Sequence, residues 1–191
     1  MIDGLYKKHI DHLWEAASTP LIRAGLTPNQ VTSLGMVLTS LAAFAFLWHT
    51  SAVIFGITLG LAFMFDALDG AVARRRNMRS KRGGYFDAIV GRYQELVVIG
   101  VLAHFYDLWP LGLAAFSGSA LISYAKARTA IETEINNDDW PDLFERMERV
   151  IFLSVMLILA GILGPWVITW GLTLFAGLAH FTALQRARRA A

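Results

Sequence analysis

The chain contains no cysteine, which excludes disulfides and thiolate-held metals and leaves the redox compartment unreadable. Charge is scarce as well. Asp, Glu, Lys and Arg make up 17% of the 191 residues, where a soluble domain carries roughly a quarter. Apolar residues reach 55%, too much to hide in one small core, so lipid is needed to cover them. Internal repeats and low-complexity tracts are lacking. Residues 1–18 are polar and amphipathic, without the basic patch, apolar run and cleavage site of a secretory signal. The net charge of +2 is small, and no nucleic-acid partner is expected. One domain over residues 1–191 is expected.

Asp3 to Ala17 reads as a helix, with Leu5, His9, Leu13 and Ala16 or Ala17 near one face and Lys7, Lys8, Asp11 and Glu15 toward the other. Such a helix suits a membrane surface; an ordinary solvated helix is the alternative. Thr27 can cap the next helix, with Pro28 at its first position, where the missing N–H costs nothing. From there Val31 to Trp48 is nearly uncharged and long enough to cross the hydrocarbon. Five more spans follow: about Ala52 to Ala73, Tyr85 to Phe105, Trp109 to Lys126, Arg149 (or as early as Phe144) to Leu163, and Trp166 to Leu184. The expected fold is all-α and integral to the membrane, with an interfacial segment over residues 1–26 and a six-helix bundle over 27–191.

Basic residues concentrate in Arg74 to Arg82, Lys126 to Arg149 and Arg186 to Arg189, while the turns near Thr50, Asp107 and Gly164 carry no Lys or Arg. An excess of basic residues marks the cytoplasmic side. Both termini and the basic loops are therefore expected inside, with the protein in the cell's inner membrane.

Asp66 and Asp69 stand near the end of an otherwise apolar span. A charge at the centre of such a helix costs roughly 2.5–3.5 kcal/mol on insertion scales, and less near the interface. Asp66, Asp69, Gly70, Ala73 and Arg74 follow the i, i+3, i+4, i+7, i+8 spacing and share one helix face. If the second and third spans pair as an antiparallel hairpin, Asp87 arrives beside the two acids. Three converging carboxylates repel one another unless a cation lies between them, and hard oxygen donors suit Mg²⁺, Mn²⁺ or Ca²⁺. The alternative is neutralisation by Arg74, Arg75 and Arg92.

These residues resemble the CDP-alcohol phosphotransferase family, whose signature is D-x-x-D-G-x-x-A-R, eight residues, then G-x-x-x-D-x-x-x-D. Asp66, Asp69, Gly70, Ala73, Arg74, Gly83 and Asp87 match it in type and spacing. Pro28-Asn29 followed by Thr32 resembles the family's P-N-x-x-T segment. Ser123 to Arg128 and Glu145 to Val150 resemble the branch that makes phosphatidylinositol-phosphate and archaetidylinositol-phosphate lipids. The resemblance implies transfer of a phosphatidyl group from a CDP-lipid, usually CDP-diacylglycerol, to a polar alcohol or alcohol phosphate, with release of CMP. It implies Mg²⁺ or Mn²⁺ on Asp66, Asp69 and Asp87, and a nucleotide pocket shaped by Asn29, Thr32, Gly70, Ala73, Arg74 and Gly83. It also implies an anionic acceptor, inositol phosphate first, held by Arg128 and Arg149, membrane lipid as surroundings, and a homodimer. Arg128, Arg146 and Arg149 have a plainer reading too, as headgroup anchors at helix ends.

One position departs from the signature. Its last aspartate, by resemblance a metal ligand and the base that takes the acceptor's proton, falls on Gly91. Three explanations stand side by side. Glu95, one turn further on the same face, reaches back beside Asp87 as the catalytic carboxylate, unless it simply pairs with a basic residue in the bundle. Otherwise the chain binds CDP-lipid and metal without efficient transfer, or it is a variant from which the base was removed.

Overall fold

The structure is a computed structural model that describes residues 13–132 and 143–190. Most of the expected interfacial helix and most of the acidic connection from Glu132 to Glu145 lie outside the described residues. Within them the chain is helical and has no strand. A helical stretch at residues 13–17 precedes the short α1 (Thr19–Arg23). Six long helices follow: α2 (Pro28–His49), α3 (Ala52–Arg75), α4 (Lys81–Phe105), α5 (Trp109–Glu132), α6 (Arg146–Leu163) and α7 (Trp166–Ala190). By length and composition, α2, α3, α4 and α7 are apolar enough to cross a membrane.

Local chemistry sets the helix starts. Thr27 and Gln30 form a reciprocal capping box: the Thr27 N–H donates to Gln30 Oε1 at 2.8 Å and the Gln30 N–H to Thr27 Oγ1 at 3.4 Å. Two of the four orphan N–H groups at that end are satisfied in this way. Ser51 caps α3, and Ser80 caps α4 by accepting the Gly83 N–H at 3.0 Å. That cap starts α4 four residues earlier than the apolar run alone suggests, and it sets the register of Asp87. Helices α5 and α7 run about a turn and a half beyond their expected apolar stretches, because their last turns are polar but still helical.

The six helices close into a ring in which α2 packs on α3 and α4, α3 on α6, α6 on α7, α7 on α5, and α5 on α4. Phe46, Phe55, Leu102, Leu153, Leu157 and Phe175 are fully buried inside it. Val37, Leu41, Phe44, Ile57, Leu61 and Trp170 are exposed on the outside, as a lipid-facing surface requires. Small residues let α3 and α6 approach closely. A Cβ on Gly56 would stand 2.7 Å from the Ser154 carbonyl oxygen, so no larger residue fits there. This close crossing carries the first turn of α6 over the polar end of α3.

Candidate metal and nucleotide site

The acids converge, but not through the expected packed hairpin: α3 and α4 each pack on α2, which holds their polar ends side by side. Asp66 and Asp69 sit in the C-terminal half of α3, Asp87 lies in the second turn of α4, and one carboxylate oxygen from each lies within 4.8 Å of the others. Asp69 is buried at 6% exposure; Asp66 and Asp87 are half-buried. Thr32, one turn into α2, donates its hydroxyl to Asp69 Oδ2. Three helices thus meet at the acids.

A guanidinium stands against them. Arg146, the first residue of α6, donates from Nη1 to Asp87 Oδ1 at 3.1 Å and from Nη2 to Asp66 Oδ1 and to Gln94 Oε1, the last at 2.8 Å. Gln94 is itself anchored by donating to Thr39 Oγ1 at 3.3 Å. The guanidinium packs over Gly91. A Cβ on that residue would lie 2.6 Å from Arg146 Nη1 and closer still to the rest of the group.

Of the three arginines considered as neutralisers, Arg92 and Arg75 are engaged elsewhere. Arg92 donates to Glu95 Oε2 at 2.9 Å. Arg75 reaches back to the N-terminal segment, donating to the Glu15 carbonyl, Ser18 and Thr19. Arg74 lines the cavity beside the acids.

Glu95 is fully buried and engaged through both oxygens. Arg149 donates to Oε1 from Nε at 3.1 Å, and its Nη2 lies 3.0 Å away, while Arg92 and Ser119 donate to Oε2. Arg149, at 1% exposure, also donates from Nη1 to the Phe144 carbonyl at 2.8 Å. Glu95 and Arg149 therefore form a buried pair across α4 and α6, whereas Arg128 is exposed on α5. Asn29 and Gly83 adjoin: a Cβ on Gly83 would stand 3.5 Å from Asn29 Oδ1. Gly70 lies under the Arg74 guanidinium, and Ala73 is half-buried on the same helix.

A cavity of about 630 Å³ opens at the cluster. Asp66, Asp69, Gly70, Arg74, Asp87 and Arg146 line its polar part; Phe63, Met64, Val150, Ile151 and Val155 line the rest. A space that is ionic at one end and apolar at the other fits a molecule with a charged head and hydrocarbon chains.

The acids also fit a hard divalent cation. Arg146 and Thr32 occupy a single oxygen on each carboxylate, leaving a second oxygen on all three. Mg²⁺ and Mn²⁺ prefer such oxygen donors, completed by water and substrate phosphates.

Against known proteins, the sequence profile described as CDP-alcohol phosphatidyltransferase matches residues 25–182. The chain belongs to the CDP-alcohol phosphatidyltransferase family. Among the family's members, archaetidylinositol phosphate synthase of Pyrococcus horikoshii is 29% identical over 173 residues, covering 90% of this chain and 87% of its own. Phosphatidylinositol phosphate synthase of Corynebacterium glutamicum is 31% identical over 193 residues, covering 96% and 86%. The fold is shared with the crystal structure of Mycobacterium tuberculosis phosphatidylinositol phosphate synthase with CDP-DAG bound, at a TM-score of 0.80 and 26% identity over 94% of each chain. That enzyme in complex with manganese and citrate gives a TM-score of 0.81, covering 93% of this chain and 88% of its own. This is a phosphatidyltransferase fold in a membrane setting.

From the sequence, Arg146 stands with Arg128 and Arg149 as a headgroup anchor at a helix end, and Gln94 has no assigned role. Neither has a local signal connecting it to the acids. The one available hint was Gly91 itself, because a helix-interior glycine is unfavourable and suggests a close neighbour.

Proposed function

We propose that this protein transfers the phosphatidyl group of a CDP-lipid to a hydroxyl of an inositol-phosphate-like alcohol and releases CMP. The observation that carries the reading is the meeting of Asp66, Asp69 and Asp87 at the polar end of a half-apolar cavity. The three acids would hold Mg²⁺ or Mn²⁺, which when bound offsets the charge of the donor's pyrophosphate and of the leaving phosphate. Thr32 orients Asp69, while Arg74 and Arg146 present donors to phosphate oxygens at the cavity wall. Asn29, Gly70, Ala73 and Gly83 shape the nucleotide end. The apolar residues of α3 and α6 receive the lipid chains. In the transfer, the acceptor oxygen bonds to the phosphatidyl phosphorus, the bond to the CMP oxygen breaks, and the hydroxyl proton leaves the acceptor.

The acceptor's own phosphate would meet basic residues at the same face, Arg128 among them, with Arg149 acting from within the buried pair it makes with Glu95. All six long helices would cross the inner membrane with the acid end and both termini cytoplasmic, and two chains would pair as a homodimer. Support comes from the basic residues that gather at the acid end of the helices and from likeness to the phosphatidylinositol phosphate synthases.

A second reading is favoured by Gly91: the protein binds CDP-lipid and metal but transfers weakly. Release of CMP from CDP-diacylglycerol, with inositol phosphate and Mn²⁺, separates the two. Transfer predicts release that depends on acceptor, stops with a chelator and is lost in Asp66→Asn. Acceptor-independent background in the parent chain would reject it in favour of binding alone.

A further inference from the structure

We propose that Arg146 is a built-in cation of the acid cluster, seated in the hollow that Gly91 leaves, so that the cluster takes one divalent ion per chain and no second. The proposal rests on the metal site described above and concerns how that site is balanced.

Geometry comes first. The Arg146 guanidinium bridges acids from two helices, Asp66 on α3 and Asp87 on α4, and adds a bond to Gln94. It lies where any side chain at position 91 would begin. Gly91 is in the middle of α4, and its backbone lies outside the left-handed region where glycine is favoured. The room it leaves is therefore what distinguishes it here from alanine. Arg146 Nε, meanwhile, is buried without a hydrogen-bond partner. Leaving that donor unsatisfied is unfavourable, so the attraction of the two carboxylates for the other end of the group outweighs it.

Charge and ligand number give the same answer. When all are ionised, Asp66, Asp69 and Asp87 carry three negative charges, and Arg146 offsets one, leaving a deficit that a single divalent ion closes. With Arg146 and Thr32 each engaging the acids, one oxygen per carboxylate remains. Three protein oxygens, completed by water and phosphate, suit one six-coordinate ion. A second ion would have to share these oxygens with the first, beside a guanidinium already bonded to two of the acids. Position 91 and Arg146 thus act as one unit: a side chain at 91 evicts the guanidinium, and eviction restores the full negative charge of the cluster.

The test is Mn²⁺ binding to the purified full chain in detergent, read as free Mn²⁺ by electron paramagnetic resonance. Parent, Arg146→Gln, Gly91→Ala and the double variant are compared, with Asp66→Asn as control. The parent should bind one ion, and Asp66→Asn should weaken that binding at least tenfold. Arg146→Gln should tighten it at least tenfold. Gly91→Ala, which alters no charge, should shift affinity the same way by several-fold, and the double variant should go no further than Arg146→Gln. If Arg146→Gln does not fold, Gly91→Ala decides by itself. Two ions in the parent, or a Gly91→Ala affinity within twofold of it, overturns the proposal while leaving the metal site standing. Binding in none of the folded proteins, or binding indifferent to Asp66→Asn, overturns the metal site and the proposal together.

Discussion

Gly91 occupies the interior of α4, where glycine costs about 1 kcal/mol relative to alanine, and the Arg146 guanidinium fills the space its missing side chain leaves. In the family signature the same position carries an aspartate, so this chain lacks one carboxylate beside Asp87. Restoring it should matter in a defined way. Gly91→Asp adds a ligand and a proton acceptor and displaces Arg146; CMP release should rise by about 10²-fold or more, within the usual contribution of a general base. Gly91→Ala displaces the arginine but supplies no base, and should produce no such rise in the same assay. Thr32 invites a second test. Its hydroxyl is the donor to the buried Asp69, so Thr32→Val should lower thermal stability by about 1–3 kcal/mol equivalent, the usual cost of a buried group losing its partner, as followed by unfolding in detergent.

Helices α4, α5 and α6 are joined away from the acids by the Glu95 network, in which Arg149, Arg92 and Ser119 converge on one carboxylate. Removing one partner of a buried ion pair leaves an uncompensated charge and typically costs about 3–5 kcal/mol. Glu95→Ala should therefore lower the unfolding temperature far more than Thr27→Ala at the exposed capping box of α2, where about 1 kcal/mol is expected. Glu95→Gln separates a structural from a catalytic role. If Glu95 serves as a base, the glutamine variant loses CMP release by about 10²-fold even where it remains folded. If Glu95 only ties the helices, activity follows the folded fraction.

At the scale of the whole molecule, the ring of six helices puts the end of α3 and the starts of α4 and α6 on one side. The basic residues gather there too. The absence of cysteine makes topology simple to test, because any introduced thiol is unique. In intact inner-membrane vesicles or cells, Arg79→Cys in the basic α3–α4 turn should react with an impermeant maleimide only from the cytoplasmic side. Trp109→Cys at the start of α5 should react only from the other. Equal labelling of both positions from one side would overturn the proposed orientation.

What the amino-acid order determined alone is what local physics controls. Scarce charge required lipid, the 3.6-residue period placed Asp66 and Asp69 on one face, and Thr27 with Pro28 marked the start of α2. Those features depend on neighbours a few residues apart. The partners of the acids do not. Thr32 and Asp69 are 37 residues apart, Arg146 and Asp66 are 80 apart, and Arg149 and Glu95 are 54 apart. Which of several arginines reaches the carboxylates, and whether Glu95 faces them or the bundle, depends on how closely α6 crosses α3 and α4. That crossing is set by packing at residues such as Gly56 and Ser154, which no helical period reveals, so only the tertiary structure could place a guanidinium where the signature has an aspartate.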